Sequence, residues 1–208
     1  MRRKERAELF FDILEKQYPE AICSLEYNTP LQLLIATQLS AQCTDARVNI
    51  VTKDLFKKYP DASSFANASL KELEEDIKST GFYHNKAKNI IACSKKILSD
   101  FDGEIPDNMD DMLSLAGVGR KTANLVLGDL FGKGGMVIDT HAKRILNRIG
   151  LTKETEPVKV EKDTENLLPR NKHSDFCHRL VLFGREFCSA RNPKCSICPA
   201  NAVCKNHN

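Results

Sequence analysis

The chain has 208 residues, 41% of them hydrophobic and 28% charged, with a formal net charge of +3. That length accommodates one large domain or two small ones around a buried core, and the composition is that of an ordinary globular protein. No apolar run approaches the roughly 20 residues that cross a bilayer, and Met1-Arg2-Arg3-Lys4-Glu5-Arg6 passes straight into a helical pattern without an apolar leader, so the expectation is a cytoplasmic protein with no membrane partner.

Taken in chain order, the pattern is helical almost throughout. Residues 8–14 repeat apolar side chains at three- and four-residue spacing. Residues 31–39 are nearly all apolar and predict a buried helix; residues 45–59 predict an amphipathic one that stops at Pro60. Residues 69–79 open with Ser69 and Glu72 at capping-box spacing and end before Gly81. A helix over 85–101 follows, then short helices over 110–115 and 121–131 on either side of a glycine pair. The next runs from Asp139-Thr140 to Gly150, and residues 158–167 and 174–187 supply the last two. No period-2 stretch exceeds four residues, so the fold class is all-α. Gly132-Lys133-Gly134-Gly135, running into Met136-Val137-Ile138, is the candidate domain boundary.

Positive charge gathers in the second half. Residues 117–148 hold Arg120, Lys121, Lys133, Lys143, Arg144 and Arg148 against Asp129 and Asp139. Residues 168–208 hold seven basic side chains against Asp175 and Glu186. Such a distribution suits a polyanion, and equally a solvated surface. Within it, Gly117-Val118-Gly119 joins two helices. Glycines permit positive φ and close backbone approach, and the helix that follows presents free N–H groups and the positive end of its dipole, an arrangement that binds phosphate. There is neither a preceding strand nor GxxxxGK[ST] spacing, which separates the segment from a P-loop or a Rossmann turn. A GxG alone also fits a plain helix–helix connection.

The eight cysteines fall into two groups. Cys23, Cys43, Cys93 and Cys177 are scattered through amphipathic segments and read as reduced, apolar packing residues. Cys188, Cys195, Cys198 and Cys204 are spaced 6-2-5, so four thiolates can surround one metal centre. Spacing alone leaves Zn²⁺ and an iron–sulfur cluster both open. Arg191 and Lys194 make the loop between the first two ligands basic, a candidate phosphate contact.

Together, Gly-Val-Gly-Arg-Lys, Asp139 placed 18 positions after Lys121 within Val137-Ile138-Asp139-Thr140-His141, and the 6-2-5 cysteines resemble the endonuclease III family of helix-hairpin-helix DNA glycosylases, over nearly the whole chain from residue 31 to Cys204. The resemblance implies two all-α domains with the DNA-binding cleft between them. One spans 23–135 with the hairpin at about 110–131; the other joins 1–22 to 136–208 and carries a cluster loop at 188–204. It implies one [4Fe–4S] cluster on the four terminal cysteines, Lys121 as nucleophile and Schiff-base former, and Asp139 as its partner. DNA contacts are expected from Gly117, Val118, Gly119 and Arg120 in the hairpin, and from Thr140 and His141. Residues 39–45 resemble a first insertion loop with Gln42 as plug. Residues 81–87, with Phe82, Tyr83 and His84, resemble a second, in which Phe82 stands where the family carries an aliphatic wedge.

The implied activity is removal of oxidised or ring-saturated pyrimidines from double-stranded DNA, followed by β-elimination at the abasic site, by a monomer. A mismatch thymine glycosylase of the same superfamily and a non-enzymatic DNA-binding module are the alternatives. The adenine-specific mismatch glycosylases resemble the chain over the same two motifs but have no lysine at the matching place, so Lys121 favours a lyase. The chemistry demands such a pair. An amine attacks C1′ only when unprotonated, which Arg120 and the start of a helix favour through their positive potential; a carboxylate steadies the cation that forms on the sugar.

Overall fold

The computed structural model describes residues 1–206. Among them the regular structure is entirely helical: α1 (Arg3–Gln17), α2 (Pro30–Leu39), α3 (Asp45–Lys58), α4 (Ala62–Ala66), α5 (Leu70–Asp76), α6 (Tyr83–Asp100), α7 (Met109–Ser114), α8 (Arg120–Phe131), α9 (Thr140–Ile149), α10 (Pro157–Thr164) and α11 (His173–Glu186), with four short 3-10 turns. No described helix is long and apolar enough to cross a membrane. The chain divides into two compact units, Cys23–Phe131 and Met1–Ile22 with Gly132–Asn208.

In the Cys23–Phe131 unit α2 is the central strut. Pro30 occupies its first turn and the Thr29 hydroxyl accepts from the Gln32 amide, so the helix starts sharply. Leu33, Leu34, Ile35, Ala36 and Leu39 are all fully buried, as expected for a helix apolar on every side. Its two flanks feed two clusters: Ile35, Ala36 and Leu39 pack with Val48, Phe65, Leu73 and Ile90, while Leu33 and Leu34 pack with Cys93, Ile97, Met112 and Val126. α6 runs through both clusters in the same way, through Ala87 and Ile90 on one side and Cys93 and Ile97 on the other. Burial pushes the Cys93 thiol up to about 11, so it packs as a neutral apolar group.

In the Met1–Ile22 and Gly132–Asn208 unit, α1 packs on α11. Phe10 meets Phe176 and Phe183 edge-on at centroid distances of 5.9 and 5.5 Å, and Ile145 and Leu146 of α9 join the same core. The buried Arg179 donates from Nε to the Tyr18 carbonyl at 3.1 Å, lies over the Phe11 ring and has the Asp175 carboxylate 3.7 Å from its Nη1, contacts that offset the cost of burying its charge.

Two local expectations fail. The Ser69 side chain makes no cap hydrogen bond, and α5 ends at Asp76, where the chain tightens into the 3-10 turn Lys78–Thr80; a helix carried on to residue 79 would displace the buried Ile77 and Thr80. The short helix α4, capped by Asp61 on the Ser64 amide, carries too few turns for a periodic signal. Replacing Phe10 by Ala should lower stability by about 3–5 kcal/mol, whereas Leu9→Ala, one position away and 41% exposed, should change it by less than about 1 kcal/mol; thermal unfolding followed by circular dichroism compares them.

Candidate nucleic-acid interface and thiol centre

The hairpin is built by packing first. Asn108 caps α7 by accepting from the Asp111 amide at 3.0 Å. Leu115 and Val118 then sink into the core with Ala123 and Leu127. Gly117 sits between them at φ +74°, and a Cβ there would lie 2.8 Å from the Asn89 Cβ on α6. Both its backbone angle and its neighbour therefore demand glycine. Gln38 of α2 adds a hydrogen bond from Nε2 to the Ala116 carbonyl at 3.4 Å. A Cβ on Gly119, in contrast, would meet nothing within 4 Å, so this position lies open to an approaching ligand.

Of the four hairpin residues expected to touch DNA, Gly117 and Gly119 are exposed and Arg120 is half-buried. Val118 is different: its side chain is core, and its N–H is engaged by the Leu115 carbonyl at 3.2 Å. Lys121 stands exposed on the first turn of α8.

The other half of the expected pair opens α9. Asp139 is its N-cap, with one carboxylate oxygen accepting from the Ala142 amide at 2.7 Å. Thr140 beside it is exposed. His141 is turned toward α11, where a Cβ on Gly184 would collide with its Nδ1; that nitrogen also accepts from Arg144 at 3.1 Å, so the imidazole is packed between helices.

Gln42 and Phe82 share an unusual backbone. Both are exposed non-glycine residues in the left-handed region, at φ +54° and +50°, conformations that cost energy and concentrate at functional sites. Phe82 is 63% exposed, a large apolar surface held in solvent immediately before α6. Tyr83 is half-buried and its ring lies tilted against the His84 ring, centroids 4.1 Å apart, and His84 pairs with Glu74 at 2.9 Å.

All eight cysteines are free thiols. Cys188, Cys195, Cys198 and Cys204 line one cavity of about 240 Å³ with Arg148, Phe187 and Arg191. Two arginines on one face of α9 clamp the loop that begins at Cys188. Arg144 donates to the Cys188 carbonyl from Nε and Nη2 at 3.0 and 2.8 Å. Arg148 donates to the carbonyls of Ser189 and Ala190 at 2.7 and 2.9 Å and reaches the Cys188 Sγ at 3.4 Å. Burial, and then the charge of the neighbouring sulfurs, pushes the Cys198 and Cys204 thiols above the ordinary range. Four thiolates crowded there repel one another, and a cationic metal centre relieves that repulsion. Arg191 and Lys194 are exposed on the clamped loop.

The cysteines and the hairpin are visible as sequence motifs; the residues that hold them are not. Arg144 and Arg148, one helical turn apart, carry no sequence signature, because they hold main-chain carbonyls some forty residues away; Asn89 carries none because it meets Gly117 only through the fold.

Residues 35–170 match the family model of HhH-GPD superfamily base excision DNA repair proteins. The chain is 50% identical over 203 residues to the endonuclease III of Synechocystis, covering 97% of this chain and 93% of that protein. It is 43% identical to that of Bacillus subtilis, covering 97% and 92%. Among solved structures, a non-covalent endonuclease III–DNA complex superposes with a TM-score of 0.92 at 40% identity, covering 100% of this chain and 97% of that one. A trapped endonuclease III–DNA covalent intermediate does so with the same score and identity, covering 100% and 98%. Gly117→Ala should destabilise the fold by about 2 kcal/mol or more, through both strain and the clash with Asn89. Gly119→Ala should cost less than about 1 kcal/mol; thermal melts of the two variants separate the packed glycine from the open one.

Proposed function

The chain belongs to the endonuclease III family, within the HhH-GPD superfamily of base excision DNA repair proteins, and from this premise we infer that Lys121 and Asp139 carry its chemistry. The enzyme is a DNA N-glycosylase and abasic-site lyase acting on duplex DNA with damaged bases. The substrates in this reading are oxidised or ring-saturated pyrimidines, together with abasic sites, and the setting is the cytoplasm. The observation that carries the assignment is an exposed lysine on the opening turn of a helix whose preceding turn is glycine-built and open at Gly119.

Phosphates of the strand dock against the N–H groups of that turn, where the helix dipole favours negative charge. The Lys121 nitrogen attacks C1′ through its lone pair, and the base departs with the electron pair of the glycosidic bond and takes a proton from water. Positive charge builds on the sugar as that bond breaks, and the Asp139 carboxylate stabilises it. Ring opening leaves C1′ joined to the lysine nitrogen as an iminium. Transfer of a C2′ proton to water then expels the 3′ phosphate with the C3′–O electron pair, and a second water hydrolyses the imine to free the lysine. Asp139 serves two ends in this scheme: one oxygen caps α9, and the negative charge acts on the sugar.

Cys188, Cys195, Cys198 and Cys204 would hold the [4Fe–4S] cluster. All four thiols face one cavity of about 240 Å³ that Arg148, Phe183 and Phe187 also line, and the 6-2-5 spacing is the one carried by the iron–sulfur loop of the endonuclease III family. When bound, the cluster cross-links the terminal loop to fix its shape. The Arg144 and Arg148 clamp then presents Arg191 and Lys194 on a rigid loop for a second phosphate contact.

Borohydride should trap the native protein on abasic duplex, and Lys121→Gln should form no adduct; an adduct persisting in the variant removes Lys121 from the mechanism. Asp139→Asn keeps a good N-cap and loses only the charge, so its melt should match the native one while base removal slows roughly 100-fold. Iron and sulfide analysis should find about four of each per chain; zinc in their place contradicts the cluster.

A further inference from the structure

Lys86 is a buried cation that the mechanism above does not use. It lies in the first turn of α6 at 6% exposure. Its Nζ donates to the Leu39 carbonyl at 2.7 Å and to the Thr80 carbonyl at 2.8 Å. Leu39 is the last residue of α2, and Thr80 is the last residue of the 3-10 turn Lys78–Thr80. From Leu39 the chain enters residues 40–44, which raise Gln42 into solvent at φ +54°. From Thr80 it enters Gly81 at φ +71° and the exposed Phe82 at φ +50°. A single ammonium thus holds the roots of the two segments that carry Gln42 and Phe82.

Burying an ammonium is costly unless its donors are satisfied. Burial depresses Lys86 below the ordinary lysine range, with the nearby Cys43 sulfur opposing the shift, and the two carbonyls satisfy two of the amine's hydrogen-bond donors. Leu39 offers its carbonyl at a helix C-terminus, the negative end of the dipole. Moving either segment away lengthens one of the two bonds and strands a buried charge, so the pair moves more cheaply together than apart.

We propose that Lys86 is a positioning residue that couples the two loops, so that Gln42 and Phe82 enter the duplex in concert when the damaged base is extruded. The proposal rests on the reading of residues 39–45 and 81–87 as the segments that enter DNA.

The test is single-turnover base removal from a duplex with one ring-saturated pyrimidine, measured for native protein, Gln42→Ala, Phe82→Ala and the double variant. Both side chains are exposed, so these variants fold. Coupled loops predict that the double variant loses less than the product of the single losses, by about 5-fold or more; losses that multiply overturn the proposal. Lys86→Met should slow base removal roughly 10-fold or more and make the same two losses multiply. Its trapping on a preformed abasic site, which has no base to extrude, should fall less than about 3-fold, a split that a general folding defect would not produce. Equal loss in both assays, or no loss in either, overturns the proposal, and if Lys86→Met does not fold, the cycle in the native background decides. Failure of the native protein to trap abasic DNA would instead strike the proposed function.

Discussion

No Cβ fits at residue 117, where α7 turns into α8. Gly117 lies against the Asn89 side chain in a left-handed conformation, and from that one close approach the rest of the hairpin follows. Leu115 and Val118 can bury on either side only because the turn is this tight. Burying them fixes where α8 begins, and so which residue stands on its exposed first turn. That residue is Lys121. A hairpin displaced by one bulky side chain would still be helical but would aim the amine elsewhere. Function here depends on a packing constraint more than on any polar contact of the lysine itself.

The second unit solves a parallel problem with a single helix. α9 starts on the Asp139 cap and carries Arg144 and Arg148 along its length. Those arginines spend their donors on the main chain and sulfur of the cysteine loop. The carboxylate at one end and the thiol centre further along therefore share a rigid element ten residues long. Loss of the loop would leave two half-buried guanidinium groups without the carbonyls they now bind, which ties the integrity of α9 to that of the thiol centre.

Sequence reasoning reached the helices with strong periodicity, because burial imposes that periodicity. The nearly all-apolar residues 31–39 form the central helix α2, and Asp139, at the start of the 139–150 pattern, is the N-cap of α9. Ser69 is the N-cap of α5 as its spacing to Glu72 indicates, but no cap hydrogen bond forms and the buried Ile77 ends the helix early, which spacing does not reveal. The inward turn of His141 and the burial of Val118 were equally hidden, because both depend on surfaces from other helices. Lys86 is the clearest case. A lysine in an amphipathic helix reads as solvated, and only the fold reveals two carbonyls waiting for it.

The account's central claim is that the covalent bond to the sugar forms at one nitrogen. Proteolysis of the borohydride-reduced adduct, followed by tandem mass spectrometry of the cross-linked peptide, locates that nitrogen directly. The sugar remnant is expected on the Nζ of Lys121; finding it on another lysine or on the N-terminal amine would contradict the mechanism.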